Sequence, residues 1–252
     1  MIPYISWQTI NLGPITIQVW GMMVSLGVLS AMAVMYQIAK QRKFNANKIV
    51  DFAFWVLASA LIGGRVFFII SEASYYIHNP LSVFKIWEGG MSISGGFVFA
   101  LIAGYLFCRK NKINFWQYAG LTVFALPLGL FIGRLGCFFI YDHPGKPTTF
   151  FLGERYLDGI IRHNHGLYLS LNGLILFSVF LILHFTNKKR SLIIYPIIFL
   201  YEYAIVRFSL DFWRIADPLF FGLTIAQYLC IIMLISAIYL TYSNFFHKAK
   251  KI

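Results

Sequence analysis

Residues 126–149 read LPLGLFIGRLGCFFIYDHPGKPTT, and this stretch decides the fold. Arg134 lies inside an apolar run, which gives way a few residues later to Asp142, His143 and Lys146. A guanidinium group keeps its charge in an apolar setting, so it must face a water-filled cavity or bind an anion. The stretch is therefore typical of a membrane span that carries a functional arginine.

Three glycines accompany this arginine at helical spacing. Gly129, Gly133 and Gly136 are separated by four and three residues, so they share one face of a helix. Small residues on one face let another backbone approach closely, which is common in membrane helix packing. The same face would also admit a flat ligand, and the sequence leaves both interpretations open.

The composition indicates a polytopic membrane protein. Of 252 residues, 59% are hydrophobic and only 12% are charged. The net charge of +12 comes from basic residues between apolar segments, which is typical of loops at an anionic membrane surface, so we expect no nucleic-acid partner. The three cysteines lie within or beside apolar runs, which argues against a disulfide framework.

Seven apolar segments predict an all-α fold with seven transmembrane helices. They cover residues 15–39, 52–70, 91–108, 115–141, 166–186, 192–212 and 221–246, and a Gly63-Gly64-Arg65 triplet is expected to interrupt the second. The loops after the odd-numbered segments hold 13 of the 21 basic residues. The positive-inside rule then places the N-terminus outside and the C-terminus in the cytoplasm. We expect one integral membrane domain over residues 1–252, with residues 142–165 as an extracytoplasmic loop or head region.

This topology places three arginines at similar depth. Arg65, Arg134 and Arg207 fall in the outer halves of the second, fourth and sixth segments. They are either separate side chains that extend to the interface or parts of one phosphate-binding pocket for a lipid headgroup. Because arginine binds phosphate in a planar, bidentate manner, we favour the pocket.

Several motifs then resemble the prolipoprotein diacylglyceryl transferases of bacterial inner (cytoplasmic) membranes. Residues 133–148 are similar to the family signature GRxGNFxNGExxGxxT. The other matches, in order along almost the whole chain, are Gly64-Arg65, Trp87-Glu88-Gly89-Gly90-Met91-Ser92 with Gly95-Gly96, Arg162-His163 with Leu167-Tyr168, and Tyr203-x-x-x-Arg207-Phe-x-x-Asp211-Phe-x-Arg214. The family has seven spans with the N-terminus outside, as the charge pattern predicts here.

The resemblance implies a transfer reaction without a metal or an organic cofactor. Family members move the diacylglyceryl group of phosphatidylglycerol to the thiol of a lipobox cysteine in a prolipoprotein signal peptide, and they release glycerol 1-phosphate. We expect a multi-pass monomer that acts on these two partners.

Residue roles follow from the same resemblance. Arg134 and Arg207 match the two arginines that the family uses at the phosphate, and Asp142 matches a signature glutamate. The implied catalytic residues are Arg134, Arg207, Asp142, His143 and Tyr203. The implied substrate-binding residues are Arg65, Ser94, Gly95, Gly96, Cys137, Gly145, Asp211 and Trp20.

The chain departs from the family pattern at several of these positions. Ser94 stands where the family has a histidine often proposed as the base, and serine cannot act as a base without an activating partner. Cys137 replaces a signature asparagine, Ile140 and Tyr141 replace Asn-Gly, and Trp20 replaces a tyrosine of many members. Leu169 stands where the family has a glutamate.

Two interpretations of these departures stay open. In a diverged transferase, another group such as His143 beside Asp142 takes the proton. In a noncatalytic relative, the phospholipid pocket persists without the chemistry. A transferase with an altered donor or acceptor is a variant of the first. The His163-x-His165 pair offers too few ligands to predict a metal site, and no repeated halves support a transporter.

Overall fold

The protein is mostly helical in a computed structural model, which describes residues 2–3, 7–13, 15–85, 90–142, 144–215 and 219–249. The helices are α1 (Val19–Gln41), α2 (Ala46–Ser71), α3 (Ala73–His78), α4 (Ile93–Lys110), α5 (Phe115–Phe139), α6 (His165–Thr186), α7 (Ile194–Asp211) and α8 (Ile225–Ala249), with a 3-10 helix at Pro80–Phe84. The strands are β1 (Thr9–Leu12), β2 (Ile15–Gln18), β3 (Pro144–Pro147), β4 (Glu154–Arg155) and β5 (Ile161–Asn164).

Five of the described helices are long and apolar enough to cross a membrane: α1, α2, α5, α6 and, within α8, Ile225–Asn244. The chain is therefore a multi-pass membrane protein. Helices α4 and α7 have 18 residues each and are not among the five. Helix α7 carries three charged residues, Glu202, Arg207 and Asp211. The count of seven spans and the orientation of the termini stay predictions.

The chain forms two compact units, residues 1–35 with 120–252 and residues 36–119, here called the first and second units. That one integral membrane domain covers residues 1–252 stays a prediction.

In the first unit, the glycine face of α5 packs against α1. A Cβ atom on Gly27 of α1 would lie 2.7 Å from the carbonyl oxygen of Gly129, and one on Gly136 would lie 3.3 Å from Cα of Trp20. The two backbones therefore approach each other at two levels, as small residues in membrane helices allow. Of the two interpretations of this face, the structure matches helix packing.

The first predicted span begins too early in the sequence. Residues Ile15–Gln18 form strand β2, which pairs antiparallel with β1, and α1 begins only at Val19. Gly13 has a φ of +62°, which suits the turn between the strands. The β-branched residues of β2 pack well on a pleated surface, so local preference favours a strand over an extra helical turn.

In the second unit, α2 runs without a break through Gly63, Gly64 and Arg65, contrary to the predicted interruption. The glycines serve close packing with α4 instead. A Cβ atom on Gly64 would lie 3.2 Å from the carbonyl oxygen of Ser92, and one on Gly96 would lie 3.1 Å from that of Ala60. Gly63 and Gly95 face each other so closely that a side chain on either would collide with the opposite helix.

The polar segment 142–165 contains a three-stranded antiparallel sheet in the order β3-β5-β4. Two distant segments extend it: Ile2 pairs with Glu154, and Arg214 pairs with Gly145. The backbone N–H of Lys146 donates to the carbonyl of Trp213 at 2.7 Å. The predicted loop is thus a small head sheet tied to the end of α7, and its extracytoplasmic location stays a prediction.

Candidate active site

Two arginines from different helices approach each other in the first unit. Arg134 lies in the last third of α5, and its Nη1 atom is 3.9 Å from Sγ of Cys137, one turn further along. Tyr203 of α7 lies within hydrogen-bonding range of Arg134, and Arg207 is close enough for the two positive charges to repel each other. Arg134 and Arg207 therefore belong to one cluster.

A buried carboxylate anchors this cluster. Oδ1 of Asp211 lies 3.0 Å from Nη2 of Arg207 and 3.5 Å from Nη1 of Arg214, and the Asp211 side chain is fully buried. The hydroxyl of Thr224 donates a hydrogen bond to Oδ2 of Asp211. A buried acid that forms two ion pairs and accepts one hydrogen bond holds its partners in fixed positions.

The charge balance of the cluster favours an anion. Arg134, Arg207 and Arg214 carry three positive charges, and Asp211 carries one negative charge. The guanidiniums of Arg207 and Arg214 are almost buried, so water screens them only weakly. A phosphate group could accept bidentate hydrogen bonds from such side chains and balance their excess charge.

The head sheet brings two histidines near this cluster in different ways. The ring of His163 stacks on Trp213 with centroids 5.0 Å apart, and its Nδ1 lies 2.9 Å from the hydroxyl of Tyr168. His165 is buried, and its Nε2 lies 2.9 Å from the carbonyl oxygen of Leu210. The two rings use separate partners, so the structure does not bring them together as a ligand pair.

Gly145 lets strand β3 lie against β5. A Cβ atom there would lie 2.6 Å from the carbonyl oxygen of His163 and 3.0 Å from Cε1 of His165. Asp142, at the end of α5, is half-buried, and its N–H donates to the carbonyl of Cys137 at 3.2 Å. His143 lies outside the described residues.

Arg65, in the second unit, donates hydrogen bonds to backbone carbonyls. Its guanidinium donates to the carbonyl oxygens of Ser82, Val83, Lys85 and Gly90 at 2.8 to 3.2 Å. Its Cζ also lies 5.5 Å from the ring centroid of Tyr76. Four carbonyls occupy most of its five donors, so these contacts favour support of the loop over the predicted phosphate contact.

The sequence-predicted residues at the start of α4 also lie in the second unit. Oγ of Ser92 caps the helix by accepting from the N–H of Gly95 at 3.4 Å, and Ser94 is exposed. Gly95 and Gly96 let α2 pack closely against α4, because a Cβ atom at either position would meet α2. Trp20, by contrast, lies in the first unit at the start of α1, with 46% of its surface exposed. The preceding matched residues Trp87, Glu88 and Gly89 lie outside the described residues.

Comparison with known proteins gives the family. The family model for prolipoprotein diacylglyceryl transferase matches residues 8–243. The chain belongs to this family. A phosphatidylglycerol–prolipoprotein diacylglyceryl transferase of Francisella tularensis subsp. holarctica (strain FTNF002-00 / FTA) is 34% identical over 245 residues, which cover 92% of this chain and 91% of the relative. Relatives of the same description from subsp. novicida (strain U112) and subsp. mediasiatica (strain FSC147) are also 34% identical over the same coverage.

Sequence reasoning missed some members of the cluster in this diacylglyceryl transferase fold. Arg214 appeared only within a motif, and Thr224 carried no signal because its contact with Asp211 crosses the connection between α7 and α8. His165 appeared only as part of a weak metal-ligand pattern. The one usable signal for Arg214 was its spacing of three residues after Asp211, which continues the face of Arg207.

Burial perturbs the acidic group of the head sheet. Glu154 is completely buried, and this burial raises the pKa of its carboxyl from an ordinary 4.5 to about 7, although hydrogen bonds from Asn164 and Tyr141 oppose the rise. Asn164 links the carboxyl to α6, because its Oδ1 also accepts from the N–H of Leu167 at 2.9 Å. Protonation of Glu154 is therefore coupled to the start of the helix that carries His165.

Proposed function

We propose that this chain transfers the diacylglyceryl group of phosphatidylglycerol to the thiol of a lipobox cysteine in prolipoproteins and releases glycerol 1-phosphate. Membership of the family supports the reaction class. The observation that carries the proposal is the approach of Arg134 to Arg207, with Arg207 held by Asp211. We place the protein in the bacterial inner membrane, as a seven-span monomer with the head sheet outside.

The reaction requires stabilisation of a leaving phosphate. A thiolate attacks the glycerol carbon bonded to the phosphodiester oxygen, the C–S bond forms, and the C–O bond breaks with its electron pair on the phosphate. Guanidiniums of Arg134 and Arg207 bind the phosphate oxygens, where negative charge grows in the transition state. Tyr203 donates to the same group, and Asp211 fixes the orientation of Arg207.

Three further sequence-predicted residues line the lipid in this proposal. These residues are Cys137, Gly145 and Trp20, which all belong to the first unit and form the walls of the proposed lipid site. Ser94, Gly95 and Gly96 belong to the family motif in which Ser94 replaces a histidine, and Ser94 cannot accept the thiol proton without an activating partner. Asp142 with His143 is one candidate pair for that proton.

A noncatalytic phospholipid-binding protein is the second candidate function. The serine at position 94 is the observation that favours it, because the arginine cluster would bind a phosphate group without any base. An altered donor or acceptor is a further variant, which the replacements Cys137 and Tyr141 favour, since both alter the signature segment next to Arg134.

One assay separates these functions. Purified protein is mixed with vesicles that contain labelled phosphatidylglycerol and with a lipobox peptide, and both lipidated peptide and labelled glycerol phosphate are measured. Equimolar release of the two products supports the transferase. Lipid binding without either product supports the noncatalytic alternative, and transfer only from another anionic phospholipid supports an altered donor.

A further inference from the structure

One ring nitrogen of His165 is hydrogen-bonded, and the other has no partner among the residues that the structure describes. Nε2 lies 2.9 Å from the carbonyl oxygen of Leu210, and a carbonyl can only accept, so Nε2 carries a hydrogen. Nδ1 is buried and has no hydrogen-bond partner within the part of the chain that the structure describes. In the neutral ring, Nδ1 therefore holds a lone pair that no donor among the described residues satisfies.

An orphan nitrogen of this kind calls for a ligand. The residue is only 2% exposed, and buried polar atoms in proteins are nearly always hydrogen-bonded. The ring is held by the hydrogen bond at Nε2 and lies beside Gly145, where an added Cβ atom would be 3.0 Å from Cε1, so it cannot turn without losing the bond to Leu210. Nδ1 is thus held in one position as an acceptor for a group that arrives from elsewhere.

The ring belongs to the arginine cluster by its electrostatics. The ring of His165 interacts electrostatically with three charged side chains: Arg207 and Asp211 of α7, and Arg214 just after that helix. The ring of Tyr168 lies one turn further along α6. Arg207 in turn acts on Arg134 and Tyr203. The unpartnered nitrogen therefore lies in the charged surroundings of the proposed phosphate site.

We infer that His165 is the base that replaces the family histidine missing at Ser94. This inference rests on the proposed function. The acceptor cysteine transfers its S–H proton to Nδ1, which leaves a thiolate and an imidazolium. The thiolate then displaces the phosphate from the glycerol carbon, and the imidazolium passes its proton to the released glycerol phosphate or to water. Burial and the charges of Arg214 and Arg207 oppose the transient positive charge on the ring, whereas Asp211 favours it, so the proton is held only briefly.

His165→Gln tests the role with little change in packing. Glutamine keeps a donor for the carbonyl of Leu210 and removes the acceptor at Nδ1. With a cysteine lipobox peptide, we expect transfer to fall by about 100-fold or more, the usual contribution of a positioned base. A matched peptide with selenocysteine has a selenol that is ionised at neutral pH and needs no base, so its transfer should change by less than about threefold.

The two peptides separate a base from a structural residue. An equal fall with both peptides, or no fall with either, would overturn the assignment, and so would the selective loss in His143→Gln instead. His165→Asn serves as a second variant, and binding of labelled phosphatidylglycerol checks that each variant is folded. His78→Gln is the control, because His78 is exposed and bonds only within its own helix in the described structure.

Failure of the proposed function has a different signature. A parent protein that binds phosphatidylglycerol but transfers to neither peptide refutes the transferase itself. An active parent protein that tolerates His165→Gln with both peptides refutes only the assignment of His165.

Discussion

Replacement of Arg134 by lysine tests the phosphate site most directly. Lysine keeps the positive charge within α5 and removes the planar fork that binds two phosphate oxygens at once. The cluster retains Arg207, Asp211 and Arg214, whose ion pairs at 3.0 and 3.5 Å do not involve Arg134. Any loss of activity then reports on the geometry of one guanidinium and not on the collapse of the cluster.

The expected magnitude follows from the charge that develops on the phosphate. Removal of one well-placed donor to a developing oxyanion costs roughly 3–4 kcal/mol in transition-state stabilisation. Since 1.36 kcal/mol corresponds to a factor of ten, Arg134→Lys should lower kcat/KM by about 100-fold or more. The alanine variant should lose more, because it also removes the charge.

The assay uses initial rates of peptide lipidation, with KM for the lipid measured separately. A loss in kcat with little change in KM would place the contact in the transition state, whereas a rise in KM alone would indicate uniform binding. Arg109→Ala is the control, since Arg109 is an exposed residue at the end of α4. Activity of Arg134→Lys within about threefold of the parent, less than 1 kcal/mol, would refute the phosphate role.

Three further variants probe other parts of the structure. Arg207→Ala should abolish transfer and also lower the thermal unfolding midpoint, because it leaves the buried Asp211 with one ion pair fewer; unchanged transfer would contradict its role. Arg65→Leu should leave the carbonyls of Ser82, Val83, Lys85 and Gly90 without their donor and so speed proteolysis near these residues. Loss of lipid affinity without faster proteolysis would instead show that Arg65 binds the lipid. Glu154→Gln should make stability in detergent less dependent on pH. The raised pKa of Glu154 gives stability that is full below about pH 4.5 and is lost as the pH rises through about 7. At pH 8 the variant should therefore be more stable than the parent by roughly 3 kcal/mol. Equal unfolding midpoints of the parent at pH 5 and pH 8 would exclude this coupling.

The sequence predicted the site best where the relevant contacts lie within one helix. Tyr203, Arg207 and Asp211 are four residues apart, so helical periodicity alone places them on one face, and the ion pair of Arg207 with Asp211 follows. The position of Arg134 inside an apolar run likewise predicts a charged environment, and the structure places Arg134 near Arg207. A permanent charge inside an apolar run can be recognised from the sequence alone, because it must have a polar partner somewhere in the fold.

Contacts that depend on chain reversals were not predictable. Arg65 lies inside an apolar run just as Arg134 does, yet its guanidinium donates to backbone carbonyls between Ser82 and Gly90. The local sequence does not indicate which acceptor a long side chain will reach. The start of α1 was also misplaced, because strand β2 is as apolar as the helix that follows it. Hydropathy measures transfer into an apolar phase and does not distinguish strand from helix over four residues.

The positions that differ from the family pattern separate charge stabilisation from proton transfer. A growing phosphate charge must be met by donors at fixed points, so Arg134 and Arg207 cannot be replaced from another part of the fold without rebuilding the cluster. A proton can be accepted by any base whose free lone pair reaches the thiol. The lack of a histidine at position 94 is therefore easier to compensate than the loss of either arginine would be. A base that has moved from position 94 to position 165 requires both features seen here: the arginine cluster, and a buried His165 with only one of its ring nitrogens hydrogen-bonded among the described residues. A protein that only binds phospholipid would need the arginines but would gain nothing from an unsatisfied buried nitrogen, which costs stability.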